Sequence, residues 1–142
     1  MTDNSIRFEK VDYHRLNAKQ KELFNFQKLS GILAAYGFNC IKLADDWQGA
    51  DFLAFHINQT TTLEVQLKSR LTIDHKYDGK DIWIAFPHGD DWYLIKYDRL
   101  VEKVGKQTDW LRSLSWKDGE RYSSTSINAG LLESLAEDRL EP

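Results

Sequence analysis

Apolar residues recur every three or four positions through Leu23, Phe24, Phe26, Leu29, Ile32, Leu33 and Tyr36. That period predicts a helix with one buried face, roughly 19 residues long. Asn17-Ala18-Lys19-Gln20 reads as its capping box, and Gly37 as its stop. The period then shortens. Residues 39–44 and 50–57 predict two strands separated by a turn at 45–49, and Asn58-Gln59 marks the next turn. Residues 61–70 predict a third strand with clean alternation. Thr61, Leu63, Val65 and Leu67 point one way; Thr62, Glu64, Gln66, Lys68 and Arg70 point the other. After a turn at Asp78-Gly79, residues 82–86 predict a buried strand ended by Pro87, and 92–97 a fifth strand. Helices are expected at 98–104, at 109–114 and, on the leucines Leu131, Leu132, Leu135 and Leu140, at 129–140. Residues 123–127 fit either a small strand or a loop. The order is that of a mixed α/β domain.

Composition narrows this picture. A chain of 142 residues with 42% hydrophobic and 29% charged positions has the makings of one globular domain and argues against disorder. Cys40 is the only cysteine, which excludes an internal disulfide and a thiolate zinc cluster. No apolar run approaches the ~20 residues that cross a bilayer, and the start lacks a signal-peptide pattern, so an intracellular location without a membrane partner is expected. The net charge of −3 speaks mildly against nucleic acid. Its location changes that. Residues 133–142 sum to −3, whereas the first forty sum to +2. The acidic excess is therefore expected on the last helix, turned away from any anionic partner.

The chemistry centres on the alternating strand. Taken alone, its polar face fits an ordinary wet edge strand. Gly49-Ala50-Asp51 opens the strand before it. In a hairpin turning near Asn58-Gln59, Asp51 falls close to Gln66–Lys68. A carboxylate, an amide or second carboxylate, and an ammonium then converge. That inventory holds a divalent cation and a water against a phosphodiester; a plain Asp51–Lys68 salt bridge is the simpler alternative.

Gly49-Ala50-Asp51, followed after 14 residues by Gln66-Leu67-Lys68-Ser69-Arg70, resembles the PD-(D/E)XK nuclease superfamily. The resemblance covers about residues 17–97 and leaves 98–142 as a C-terminal extension of a single domain spanning 1–142. It implies a restriction-endonuclease-like mixed sheet flanked by helices, and a site-specific DNA endonuclease of the homing or restriction type. Mg²⁺ or Mn²⁺ would be the cofactor and double-stranded DNA the partner. Cutting both strands implies a homodimer or homotetramer. Ala50 stands where the family has proline, and Gln66 where it has the second acid. Two registers are open. In one, Gln66-Leu67-Lys68 is the triplet, with Asp51, Gln66 and the Leu67 carbonyl at the metal and Lys68 at the attacking water. In the other, Glu64-Val65-Gln66 is the triplet. Glu22, on the core-facing side of the long helix, resembles the helix carboxylate many members place in the site; otherwise it serves the helix dipole or pairs with Lys19 or Lys21. Arg70, Lys76, Lys80 and Lys19 are candidate DNA contacts. His75 is a further phosphate candidate, and Trp47 and Trp116 candidate base contacts. The alternatives are a catalytically inactive nucleic-acid-binding member of the fold, or a small α/β protein-interaction module.

Overall fold

Asn17 opens the first helix with a reciprocal cap. Its side chain accepts from the Gln20 N–H at 2.8 Å, and the Gln20 side chain accepts from the Asn17 N–H at 2.9 Å. Two of the N–H groups left without partners at a helix start are thereby satisfied. The helix, α1, spans Ala18–Ala35. Gly37 ends it at φ +87°, where an added Cβ would lie 2.9 Å from His56 Nε2. The structure, a computed structural model, describes residues 5–47 and 49–142. Residues 1–4, Gln48 in the expected turn, and the side chains of Asp46 and Trp47 lie outside the described residues.

Three antiparallel strands follow: β1 (Phe38–Trp47), β2 (Ala50–His56) and β3 (Thr62–Leu67). β1 runs through Asp45-Asp46-Trp47, which the sequence had suggested for a turn. Trp47 still pairs with Ala50, across a bulge. β3 stops at Leu67 rather than continuing to Arg70. The Lys68 N–H donates to the Ala85 carbonyl at 2.8 Å, and the chain then leaves the sheet. Residues Leu71–Asp74 form β4, which pairs with β7 (Arg121–Ser124) in a separate two-stranded sheet.

The main sheet continues with β5 (Trp83–His88), parallel to β3, and with β6 (Asp91–Lys96). Pro87 lies inside β5 instead of ending it. It sits past the last rung with β3, Leu67 against Ala85, where β5 has become an edge and a missing N–H costs least. Helices α2 (Tyr97–Gln107), α3 (Leu114–Lys117) and α4 (Ala129–Ser134) follow. The stretch expected as a helix at 109–114 is a 3₁₀ turn at Trp110–Arg112 leading into α3. The long final helix is also corrected. α4 stops at Ser134, whose carbonyl accepts from Lys103 Nζ at 2.6 Å, and Arg139–Leu140 become β8 beside β6. The completed sheet has the order β1-β2-β3-β5-β6-β8.

Each face of the sheet carries its own core. α1 lays Leu29 and Leu33 on Phe52, Ala54, Val65, Ala85 and Trp92. On the other face, Ile84, Phe86, Tyr93 and Ile95 meet Leu100 and Val104 of α2, Leu131 and Leu135, and Leu71 and Ile73 of the small sheet. Each fully buried leucine contributes about 1.5–3 kcal/mol. Among the described residues, no helix is long and apolar enough to cross a membrane.

The C-terminal acids do not sit on one last helix: Glu133 is on α4, and Glu137 and Asp138 follow in a 3₁₀ turn, where they meet cations. Lys103 Nζ donates to Glu137 at 2.7 Å and to Asp138 at 2.6 Å, and Arg99 donates to Glu137 at 2.7 Å. Burial pushes the Lys103 ammonium down, but the two carboxylates outweigh it and hold its pKa above the usual lysine range.

Candidate active site

β2 and β3 run side by side with Phe52 opposite Val65 and Leu53 opposite Glu64. One step along, Asp51 comes level with Gln66 and Leu67. Its carboxylate accepts from the Leu67 N–H at 2.8 Å, which fixes it at the point where β3 leaves the sheet. A cleft of about 420 Å³ opens there, lined on the strand side by Asp51, Gln66, Leu67, Lys68 and Ser69. Its other wall is the start of α1, with Ala18, Lys21, Glu22 and Asn25, closed by Tyr13.

Gln66 is 8% exposed, and among the described residues its Oε1 has no hydrogen-bond partner. A buried amide oxygen left without a donor costs about 1–3 kcal/mol. It is a hard, neutral ligand set beside the Asp51 carboxylate. Lys68 is half-buried, with its ammonium 5.4 Å from the centroid of the Tyr77 ring. Burial pushes its pKa below the ordinary lysine value. Lys76 pushes it further, Asp51 and Asp74 oppose, and Arg121 adds to the lowering.

Glu22 lines the cleft but is already engaged. Lys42 Nζ donates to its Oε1 at 3.0 Å. That hydrogen bond holds the Glu22 carboxyl below its usual range against the opposing effect of burial, with the charges of Lys42 and Lys19 assisting. Lys42 itself lies over the Phe26 ring, 5.6 Å from its centroid. Glu64 faces Leu53 and is not among the cleft-lining residues. Lys19 and Lys80 are exposed and stand outside the lining, while Lys76 lies 5.2 Å from the Tyr77 ring centroid and 4.0 Å from Asp74. Arg70 falls in an adjoining depression with Lys68 and Ser69.

Two aromatic or imidazole candidates for DNA lie elsewhere. Trp116 is 9% exposed and stacks beneath His75, with ring centroids 3.6 Å apart. Both ring nitrogens of His75 are engaged, with Asp78 Oδ2 and the Trp116 carbonyl, each at 2.8 Å. His56 spans Tyr36 O and the Asn58 N–H and serves a turn. Among the described residues, no group of three or more His, Cys, Asp or Glu converges as a metal site. What the cleft brings together is one carboxylate, Asp51, and the amide side chain of Gln66, beside the Leu67 backbone. A carboxylate and an amide oxygen are ligand types that suit Mg²⁺, since that ion binds through one or two carboxylates and keeps several waters.

Sequence reasoning missed Lys42, Tyr13 and Asn25. Asn25 donates to the Tyr13 hydroxyl at 2.9 Å and Lys21 lies over the Tyr13 ring, so the 3₁₀ turn Tyr13–Arg15 is latched to α1 as one wall of the cleft. No local pattern signals that contact.

No family model matches the chain, and no curated protein does. Among solved structures it is similar to Hjc, a Holliday junction resolvase from the archaeal hyperthermophile Archaeoglobus fulgidus, at 17% identity and a TM-score of 0.39, over 52% of this chain and 76% of that one. It is also similar to a bacterial homing endonuclease, I-Ssp6803I, at 13% identity and a TM-score of 0.46, over 79% of this chain and 78% of that one.

Proposed function

We propose that this protein is a metal-dependent DNA endonuclease of the homing or restriction type, with the Gln66-Leu67-Lys68 triplet as its active register. One observation carries the reading. Gln66, whose buried Oε1 has no partner among the described residues, lines a cleft with a pinned carboxylate and a half-buried lysine. Asp51, Gln66 and the Leu67 carbonyl would hold Mg²⁺ or Mn²⁺. Such an ion, when bound, polarises a phosphate oxygen and acidifies its water. The chain's own residues do the rest. The Leu67 N–H keeps Asp51 aimed into the cleft. Lys68, less basic than an exposed lysine, orients the attacking water or takes its proton, and as an ammonium it steadies the charge on the phosphate. Glu22, held by Lys42, flanks the same water. Arg70, Lys76, Lys80 and Lys19 would meet the DNA backbone. Cleaving a duplex needs two such clefts, which supports a homodimer or homotetramer.

The test is plasmid nicking with Mg²⁺ or Mn²⁺. Wild type is expected to nick. Asp51→Ala and Lys68→Ala are expected to fall by about 10²–10⁴-fold, and Glu64→Gln to stay near wild type. Full activity in Lys68→Ala would falsify the register.

One observation favours a second reading, a catalytically inactive DNA-binding protein: Glu22 is tied to Lys42, so the cleft offers a cation few uncommitted charges. That reading expects duplex binding without divalent ions and no nicking with any.

A further inference from the structure

Lys68 faces two depressions. Besides the cleft it shares with Asp51, it lines a smaller notch of about 190 Å³ with Ser69, Arg70, Thr72, Arg121 and Ser123. The notch carries three cations and three hydroxyls and no carboxylate. The small sheet builds it: Thr72 stands opposite Ser123, and Asp74 opposite Arg121. Thr72 commits its hydroxyl proton to the Arg70 carbonyl at 3.0 Å, which fixes the turn that presents Arg70. Neither Arg70 nor Arg121 forms an ion pair with a described residue. Asp74, opposite Arg121 in the register, is 4% exposed and turns to Lys76, accepting from its N–H at 3.0 Å.

Like charges gathered in a concave, hydroxyl-lined site make an anion site. Guanidinium groups in particular offer a fork of donors that matches phosphate oxygens. A third depression of about 230 Å³ shares Ser69 and Arg70 with the notch and continues past Pro87 and His88 to Thr125. The three therefore form one furrow beginning at the Asp51 cleft, and its middle is cationic.

We infer that the notch holds the DNA backbone phosphate adjoining the one that is hydrolysed, gripped by Arg121, Arg70 and the Ser123 hydroxyl, with Lys68 between the two phosphates. This rests on the endonuclease reading for the source of the phosphate, though not for the anion chemistry.

The experiment measures duplex binding by fluorescence anisotropy in EDTA, across a range of NaCl concentrations, for wild type, Arg121→Gln and Arg121→Lys. Arg121 is exposed on a short strand, so an unchanged melting curve is the check that both variants fold. Arg121→Gln is expected to weaken binding and to reduce the slope of log affinity against log salt by about one, the share of one phosphate contact. Arg121→Lys is expected to keep most of that slope. Inorganic phosphate, titrated while the arginine Nε–H resonances are followed by NMR, is expected to shift Arg121 and Arg70. If Arg121→Gln binds with wild-type slope while wild type binds and nicks DNA, the notch inference is overturned and the endonuclease reading stands. If phosphate shifts both arginines but wild type neither binds nor nicks DNA, the DNA assignment falls with the endonuclease reading and only an anion site remains.

Discussion

Lys68 is held where an ammonium is disfavoured, and this has a measurable thermodynamic sign. Its pKa is lowered by burial first and by Lys76 next. Between that lowered value and the ordinary lysine value of about 10.4, the unfolded chain binds more protons than the folded one, so stability rises with pH in that window. Below it the penalty is fully present. Lys68→Met keeps the stem and removes the charge. It is expected to melt a few degrees above wild type at pH 7, with the gap closing toward pH 10, while nicking is lost. Thermal melts at the two pH values check this; a lower melting temperature at pH 7 would show that Lys68 stabilises the fold instead. At the same scale, the part of the site made by one hairpin could be read from sequence. Asp51 and Gln66 lie on adjacent strands and Lys68 just past the second, so alternation and one turn place them together. Lys42 and Tyr13 reach the cleft wall by packing against α1 from other elements, and no spacing encodes that.

Among the elements, α1 was legible because everything that defines it is local: the reciprocal cap, the apolar period and the glycine stop. Asn17→Ala removes one half of the cap and is expected to lower stability by about 1 kcal/mol, read from a denaturant midpoint with unchanged slope. Glu22 and Asn25 hang from the first turns of this helix, so fraying there also loosens the cleft wall. The small sheet was not legible. Leu71–Asp74 is buried at all four positions and shows no alternation, and its partner Arg121–Ser124 lacks the branched residues that mark a strand. The same cause truncated the last helix. Leu131, Leu132 and Leu135 keep a helical spacing that reads as a helix running on toward Leu140, yet Leu135 is buried in the turn after α4 and Leu140 is half-buried in β8. Apolar spacing alone does not separate these outcomes.

At the scale of the whole molecule, the net charge is a poor guide to the surface. The acids at the C-terminus that produce the excess are partly consumed by Lys103 and Arg99, whereas the furrow gathers Lys68, Arg70 and Arg121. One further tie joins distant parts of the chain. His75, at the end of β4, engages Asp78 and the Trp116 carbonyl through both ring nitrogens. Two acceptors are met best by two N–H donors, so the site favours the imidazolium, and the pKa is raised first by the Asp78 hydrogen bond and then by the Trp116 carbonyl. A raised histidine pKa stabilises fully below the ordinary value of about 6.5 and loses that contribution as pH climbs through the folded value. A neutral ring keeps only one donor, so alkalinity is expected to loosen α3 from residues 75–78. Amide hydrogen exchange in residues 75–81, corrected for its intrinsic pH dependence, is expected to quicken from pH 6 to pH 9 in wild type and to be fast at both in His75→Gln. Residues 75–81, next to β4 of the small sheet, are thus expected to be stiffest in mild acid, their opening timed by a proton that takes no part in the chemistry nearby.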